Sequence, residues 1–225
     1  MPVGIVTGAS RGLGLALARA LVEREWRLVV DARGADALER AITDVDGVIA
    51  IAGDVTDAEH RRALVEAAGD RIDLLVNNAS LLGPSPQPPL AAYPLAELAR
   101  VYEVNVFALL ALLQEALPQL GSGAAVLHIS SDAAVEPYAG WGGYGSSKAA
   151  LEQVTAILAA EQPQLRVYTV DPGDMRTQMH QDAFPGEDIS DRPPPESSLP
   201  GLLALIEGSL PSGRYRVREL AGAAA

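Results

Sequence analysis

The chain has 225 residues, 17 basic and 29 acidic, for a formal net charge of -12 and a pI near 4.6. Its 48% apolar content is enough for one large core, and the absence of cysteine excludes a disulfide scaffold, a thiol nucleophile and any cysteine-ligated metal. The acidic balance lacks the basic footprint of a nucleic-acid binder, and no apolar run approaches the ~18 residues of a membrane span.

Strand-like residues begin at Val3 with no basic-then-apolar leader before them, so a soluble, cytoplasmic protein is expected. From there strands and helices alternate. Residues 3–7 read as a strand, followed by a glycine-rich turn and a helix over 13–23. A strand over 27–32, a helix over 35–42 and a strand over 48–53 come next. Asp57 is placed to cap a helix reaching 68. Residues 72–77 form the fourth strand, and a Pro-rich loop occupies 84–89. Helical spacing then runs over 95–117 and stops at Pro118. A strand over 124–130, a helix over 144–161 and a strand over 165–171 follow. Residues 184–200, with Pro193, Pro194 and Pro195, read as loop; 198–210 has the pattern of a last helix and 214–217 of a last strand. The tail 221–225 is expected to fray.

Strands separated by helices of this length imply βαβ units and a parallel sheet. No composition shift marks a linker. One α/β domain over 1–225 is expected, built as a doubly wound parallel sheet with its ligand site beyond the carboxyl ends of the strands. The segment 174–200 is long for a connection and reads as a lid.

The turn from Thr7 to Gly14 joins the first strand to the first helix. Glycine lets the backbone turn sharply there and approach a pyrophosphate, which rests on the helix N-terminus. The spacing Gly8, Gly12, Gly14 differs from G-x-G-x-x-G, and an ordinary βα turn also fits it. The second strand ends in Asp31-Ala32-Arg33. A carboxylate there would hold a ribose 2′-hydroxyl and select NAD, whereas an arginine would hold the 2′-phosphate of NADP; taken alone the tripeptide is ambiguous. Arg11, in the turn, adds a second guanidinium on the same side and favours NADP, although both arginines also read as plain surface residues.

The chain has sixteen arginines but a single lysine, Lys148, and only three asparagines, Asn77, Asn78 and Asn105. Lys148 lies four residues after Tyr144, so the two share a helix face. A phenol is a poor acid or base near neutrality, and an ammonium beside it favours the phenolate. A solvated surface pair is the commoner meaning of this spacing. Ser130 and Ser131 close the fifth strand, where a hydroxyl could hold a substrate oxygen or simply start a turn. His60 and His128 read as structural, and no His/Asp/Glu group has metal-ligand spacing.

These motifs together resemble the short-chain dehydrogenase/reductase family along nearly the whole length to about Thr177. The family's T-G-x-x-x-G-x-G is Thr7 to Gly14, its Asp-Val is Asp54-Val55, and its N-N-A-G is Asn77-Asn78-Ala79-Ser80. Its helix asparagine is Asn105, and its active-site serine, thirteen before the tyrosine, is Ser131. Its Y-x-x-x-K is Tyr144 to Lys148, and its P-G with a following threonine is Pro172-Gly173 and Thr177. All three asparagines and the only lysine fall on motif positions. Two departures stand out: the closing D-G-G is missing, the end being Ser212-Gly213-Arg214-Tyr215-Arg216-Val217, and Ser80 replaces a glycine.

The resemblance implies a single-domain Rossmann fold and hydride transfer between a nicotinamide cofactor and a carbonyl carbon. NADP is expected, since preferring members carry basic residues at Arg11 and Arg33 and no acid at Ala32. Tyr144 would be the acid/base, Ser131 would bond the same substrate oxygen, Lys148 would tune the tyrosine, and Asn105 would support a water-linked path to Lys148. Cofactor contacts are implied for Gly8, Ser10, Arg11, Gly12, Leu13, Gly14, Ala32, Arg33, Asp54, Val55, Asn78, Ala79, Tyr144, Lys148, Pro172, Gly173 and Thr177. Candidate pocket residues are Leu81, Asp132, Val135, Tyr138, Trp141, Met175, Met179, His180 and Phe184, a mix suited to a mid-sized, partly apolar carbonyl or alcohol. The helices over 95–117 and 144–160 carry apolar residues on more than one face, among them Leu109, Leu110, Leu112 and Leu113, which points to a homodimer or tetramer. Two other readings are an NAD-linked alcohol dehydrogenase with Asp31 on the ribose, and a catalytically silent NADP-binding sensor.

Overall fold

The computed structural model describes residues 1–220. The expected fraying of the tail concerns residues outside that range. In chain order the elements are β1 (Val3–Val6), α1 (Gly12–Val22), β2 (Arg27–Ala32), α2 (Ala35–Ile42), β3 (Val48–Ala52), α3 (Ala58–Ala68), β4 (Ile72–Asn77), α4 (Leu95–Tyr102), α5 (Leu109–Ala116), β5 (Leu120–Ile129), α6 (Gly142–Glu161), β6 (Arg166–Asp171), α7 (Gln178–Ala183), α8 (Leu199–Glu207), β7 (Gly213–Arg216) and α9 (Val217–Leu220).

The strands form one parallel sheet in the order β3-β2-β1-β4-β5-β6-β7. Strand alternation sends Val6, Leu28, Val30, Leu74, Val76 and Leu127 to one face, where α1 contributes Leu13, Leu17 and Leu21 and α8 contributes Leu202, Leu205 and Ile206. Ile5, Val29, Leu75, Val126 and Val167 point the other way, onto Leu64 and Val65 of α3, Leu112 and Leu113 of α5 and Leu158 of α6. A sheet covered on both faces favours strands with continuous apolar runs, as in β1 and in Leu74-Leu75-Val76 of β4. The chain changes winding direction between β1 and β4, which opens a crevice at their carboxyl ends.

The expected single helix over 95–117 is broken. Residues Glu103–Ala108 form a π-helical segment between α4 and α5, and a 3-10 turn over Leu117–Gln119 carries the chain through Pro118. A π segment widens the helix and turns its side chains off the 3.6-residue stripe, and Asn105 lies inside it. β5 starts at Leu120, four residues early, because Leu120 pairs with Ile72 across an irregularity before the regular register Leu74 to Ala125. Helix α6 starts at Gly142. The expected lid is more ordered than a plain loop: it holds α7, and Pro195–Ser198 forms a 3-10 turn leading into α8. Leu109, Leu112 and Leu113 do not make a second outward face, since all three are buried within the chain; the exposed apolar side chains near these helices are Leu95, Phe107 and Ile157. No helix among the described residues is long and apolar enough to cross a membrane.

Candidate active site

At the end of β1 the chain turns through Gly8 and Gly12, at φ +70° and +58°, values that glycine adopts freely and other residues rarely do. The turn is stitched to the end of β4. Thr7 Oγ1 accepts from the amides of Asn78 and Ala79, each at 3.0 Å, and Asn78 Nδ2 donates to the carbonyls of Thr7 (2.8 Å) and Gly8 (3.2 Å). Ser10, Arg11, Gly12 and Leu13 are left facing a cleft of about 480 Å³ with the α1 N-terminus at its wall. Gly14 is the exception among the expected cofactor contacts, for it lies off the cleft. A Cβ on Gly14 would sit 2.5 Å from the Gly8 carbonyl oxygen and 2.6 Å from Asn78 Nδ2, so its role is to let α1 pack against the turn.

Asp31, an alternative ribose ligand by sequence, is 1% exposed. Its Oδ1 accepts the Gly8 amide at 2.7 Å and its Oδ2 lies 3.0 Å from His60 Nε2, so both oxygens are engaged inside the protein. Ala32, Arg33, Asp54 and Val55 line the cleft beyond it. Burial works against the Asp54 carboxylate, but hydrogen bonds from Thr56 and the charges of Arg33 and Arg100 together hold its pKa below the usual value.

Helix α6 brings Tyr144 and Lys148 to the floor of the same cleft, one turn apart. Its first residues are glycines for a steric reason: a Cβ on Gly143 would collide with the Tyr93 ring, and one on Gly145 would lie 2.6 Å from the Ala133 carbonyl oxygen. Lys148 is 1% exposed. Its Nζ donates to the Ile129 carbonyl at 2.8 Å and sits 5.4 Å from the Tyr144 ring centroid. Burial pushes the Lys148 ammonium down to about 7, with Glu152 acting in the opposite sense. Burial, aided by the charges of Asp132 and Asp171, pushes the Tyr144 phenol up, and only the Ser80 hydroxyl opposes them.

Ser131 follows β5 and lines the cleft; its Oγ donates to Asp132 Oδ1 (2.9 Å) and accepts the Ala133 amide (3.2 Å). Ser130 Oγ turns to Glu152 Oε1 at 2.7 Å. The Asn105 side chain makes its direct hydrogen bonds to groups other than Lys148. Its Oδ1 accepts from Ser80 Oγ (3.1 Å) and the Leu81 amide (2.8 Å), and its Nδ2 donates to the Leu81 carbonyl (2.9 Å) and Ser147 Oγ (3.0 Å). Its side chain is therefore spent on bracing the segment after β4 against α6. Ser80, noted in the sequence only as a departure, is part of this brace.

On the far side of Tyr144 the wall is apolar. Leu82 and Ala133 pack with Tyr144, and Trp141, Met179 and Ala183 close over them. The Trp141 ring meets Tyr144 edge-on at 5.9 Å and Phe184 at 5.7 Å. Leu81, Asp132, Met175 and His180 line the cleft as expected, with Pro172, Gly173 and Thr177. Val135 and Tyr138 do not; they are half-exposed outside it, and Phe184 stands behind Trp141 and His180.

The family model for short chain dehydrogenase matches residues 2–188. The chain belongs to the short-chain dehydrogenase family. It is 33% identical over 193 residues to benzil reductase ((S)-benzoin forming) of Saccharomyces cerevisiae, covering 79% of this chain and 73% of that one. It is 34% identical to serine 3-dehydrogenase of Agrobacterium fabrum over 77% of this chain and 72% of that one. Among solved structures, a short chain dehydrogenase from Escherichia coli CFT073 complexed with NADPH superposes with a TM-score of 0.89 at 27% identity, covering 96% of each chain. This short-chain dehydrogenase is thus an oxidoreductase of the CH–OH/C=O class that uses a nicotinamide cofactor. The residues present fit such a group: the turn's positive-φ glycines leave backbone facing the cleft, and Gly12 has nothing but the Thr177 methyl within 4 Å of where its Cβ would be. Ser10, Arg11, Gly12 and Leu13 would hold the phosphates, and Lys148 and Thr177 would border the nicotinamide end.

Proposed function

We propose that this short-chain dehydrogenase uses NADP(H) to interconvert a neutral, partly apolar or aromatic ketone with its alcohol, with Tyr144 as the acid/base. The observation that carries this reading is the pairing of the only lysine with a buried tyrosine on one helix turn, at the floor of the nucleotide cleft. The coenzyme, when bound, supplies the hydride. The chain's own task is to hold the carbonyl oxygen and give it a proton. Tyr144 donates from its hydroxyl as negative charge builds on that oxygen, and Ser131 Oγ adds a second hydrogen bond to it. A phenol kept protonated by burial suits reduction near neutrality. In the reverse direction Lys148, when charged, favours the phenolate that accepts the alcohol proton.

Arg11 and Arg33 both border the cleft, which supports NADP over NAD. Both Asp31 carboxylate oxygens are engaged by Gly8 and His60, which weighs against the NAD-linked alternative. Arg33→Ala should weaken NADPH about tenfold and leave NADH nearly unchanged in fluorescence titrations; equal weakening of both would count against the 2′-phosphate role. The wall of Trp141, Met179 and Leu82 beside Tyr144, with Asp132 and Asp174 on the rim, favours substrates with a flat or apolar flank and no carboxylate. The similarity to a benzil reductase points the same way. A screen of neutral aryl and alkyl ketones, followed by loss of NADPH absorbance, tests it. No oxidation with any carbonyl would refute the activity, and preference for ketoacids would refute the substrate class.

A further inference from the structure

A cluster of charges lies behind Tyr144 and Lys148. Arg214, on the edge strand β7, reaches inward between three segments. Its Nε lies 3.0 and 3.1 Å from the two Glu152 carboxylate oxygens, its Nη2 donates to the Ser131 carbonyl at 3.3 Å, and the same Nη2 lies 3.6 Å from Asp171 Oδ2. Arg216 approaches Asp171 from the same strand at 3.7 Å. Glu152 is one helical turn beyond Lys148, and Asp171 ends β6, where its Oδ1 also fixes the Gly173 amide at 3.0 Å.

We propose that Arg214 is a positioning residue: it neutralises Glu152 and pins the Ser131 carbonyl, so that the last strand sets the charge around Lys148 and Tyr144. The proposal rests on the reading of Tyr144 and Lys148 as the acid/base pair. Exposed ion pairs have little effect, but this one is mostly covered, and the guanidinium is shared with a backbone carbonyl of the active-site serine. The groups facing the pair are His128 from β5, Asp132 from the turn after β5, Asp171 from β6, Glu152 from α6 itself, and Arg214 and Arg216 from β7; Asn105, from the π segment, is neutral. His128 is held neutral by burial, its pKa pushed down to about 3. Without Arg214, Glu152 and Asp171 face the pair with only Arg216 to balance them. The extra negative charge then favours the ammonium of Lys148 and disfavours the phenolate of Tyr144.

The single lysine makes the test direct. Protein grown with [ε-13C]lysine gives one lysine resonance, whose shift titrates with Lys148 and needs no substrate. In Arg214→Gln its midpoint should rise by about half a pH unit or more. In Glu152→Gln it should fall, and in the double variant return close to wild type. Arg214→Lys, which keeps the charge and loses the fork, adds a second lysine resonance, identified by its absence from the wild-type spectrum, and should hold the Lys148 midpoint. The rising limb of NADP⁺-dependent alcohol oxidation should move in the same direction as the resonance. Unmoved midpoints in both single variants would overturn the proposal, as would a double variant that keeps the full displacement of Arg214→Gln. Should Arg214→Gln fail to fold, Glu152→Gln decides alone. The resonance reports on this coupling even where no ketone is turned over, so its failure is distinct from failure of the proposed function.

Discussion

Lys148 sits where its charge is useful and costly at once. A buried ammonium with one carbonyl partner is pushed toward neutrality, and its full ionisation awaits further acceptors such as ribose hydroxyls. Tyr144→Phe should leave NADPH affinity unchanged and cut kcat by about 10²- to 10⁴-fold, the usual contribution of a positioned acid; steady-state rates beside fluorescence titration check it. His128 makes a separate prediction. Both its ring nitrogens are buried without a protein partner. The unfolded chain takes up this proton near 6.5, the folded one only near 3, so stability is lost as pH falls between those values and is unaffected above them. The loss amounts to up to about 5 kcal/mol, and His128→Leu should flatten that part of a melting-temperature curve against pH. In a chain with one lysine and three asparagines, Lys148 and Asn105 stand out in the sequence as site candidates because they are rare. Asp31 does not: its engagement depends on His60, which comes from α3. Nor does the reach of Arg214, which crosses two strand ends.

Among the elements, α6 shows how sequence pattern and packing divide the work. Its start was legible within two residues, and its glycines were not explained until Tyr93 and Ala133 appeared against them. Gly143→Ala should cost about 1–3 kcal/mol through overpacking and lower kcat by displacing Tyr144. Pairing it with Tyr93→Ala should recover part of both losses, and purely additive losses would argue that the contact is slack. The π segment was invisible to a 3.6-residue template because its apolar residues still fit one nearly as well. Its function is local: it turns Asn105 toward the segment after β4. The lid was legible as a long connection, whereas its anchorage was not. Ser85 Oγ bonds the Asp182 carbonyl at 2.6 Å, and the Arg176 amide bonds Pro193 at 2.8 Å, so α7 is tied down at two places.

For the molecule as a whole, the doubly wound parallel sheet followed from the alternation of strands and helices, since covered parallel sheets leave few other arrangements. Association was harder to read, because the leucines that suggested an interface are consumed by the chain's own core. Exposed apolar side chains remain on α4, the π segment and α6: Leu95 at 78%, Phe107 at 54% and Ile157 at 48%. We expect a second copy to cover them: light scattering should give at least a dimer at micromolar concentration, and Phe107→Glu should shift it to monomer. Asp31 finally bears on redesign. It knots the glycine turn, β2 and α3 together at the nucleotide edge of the sheet, so recruiting it as a sugar ligand would unpick the edge. An engineer wanting to swap one coenzyme for the other should leave it alone, install the new acid at Ala32, and remove the guanidinium beside it.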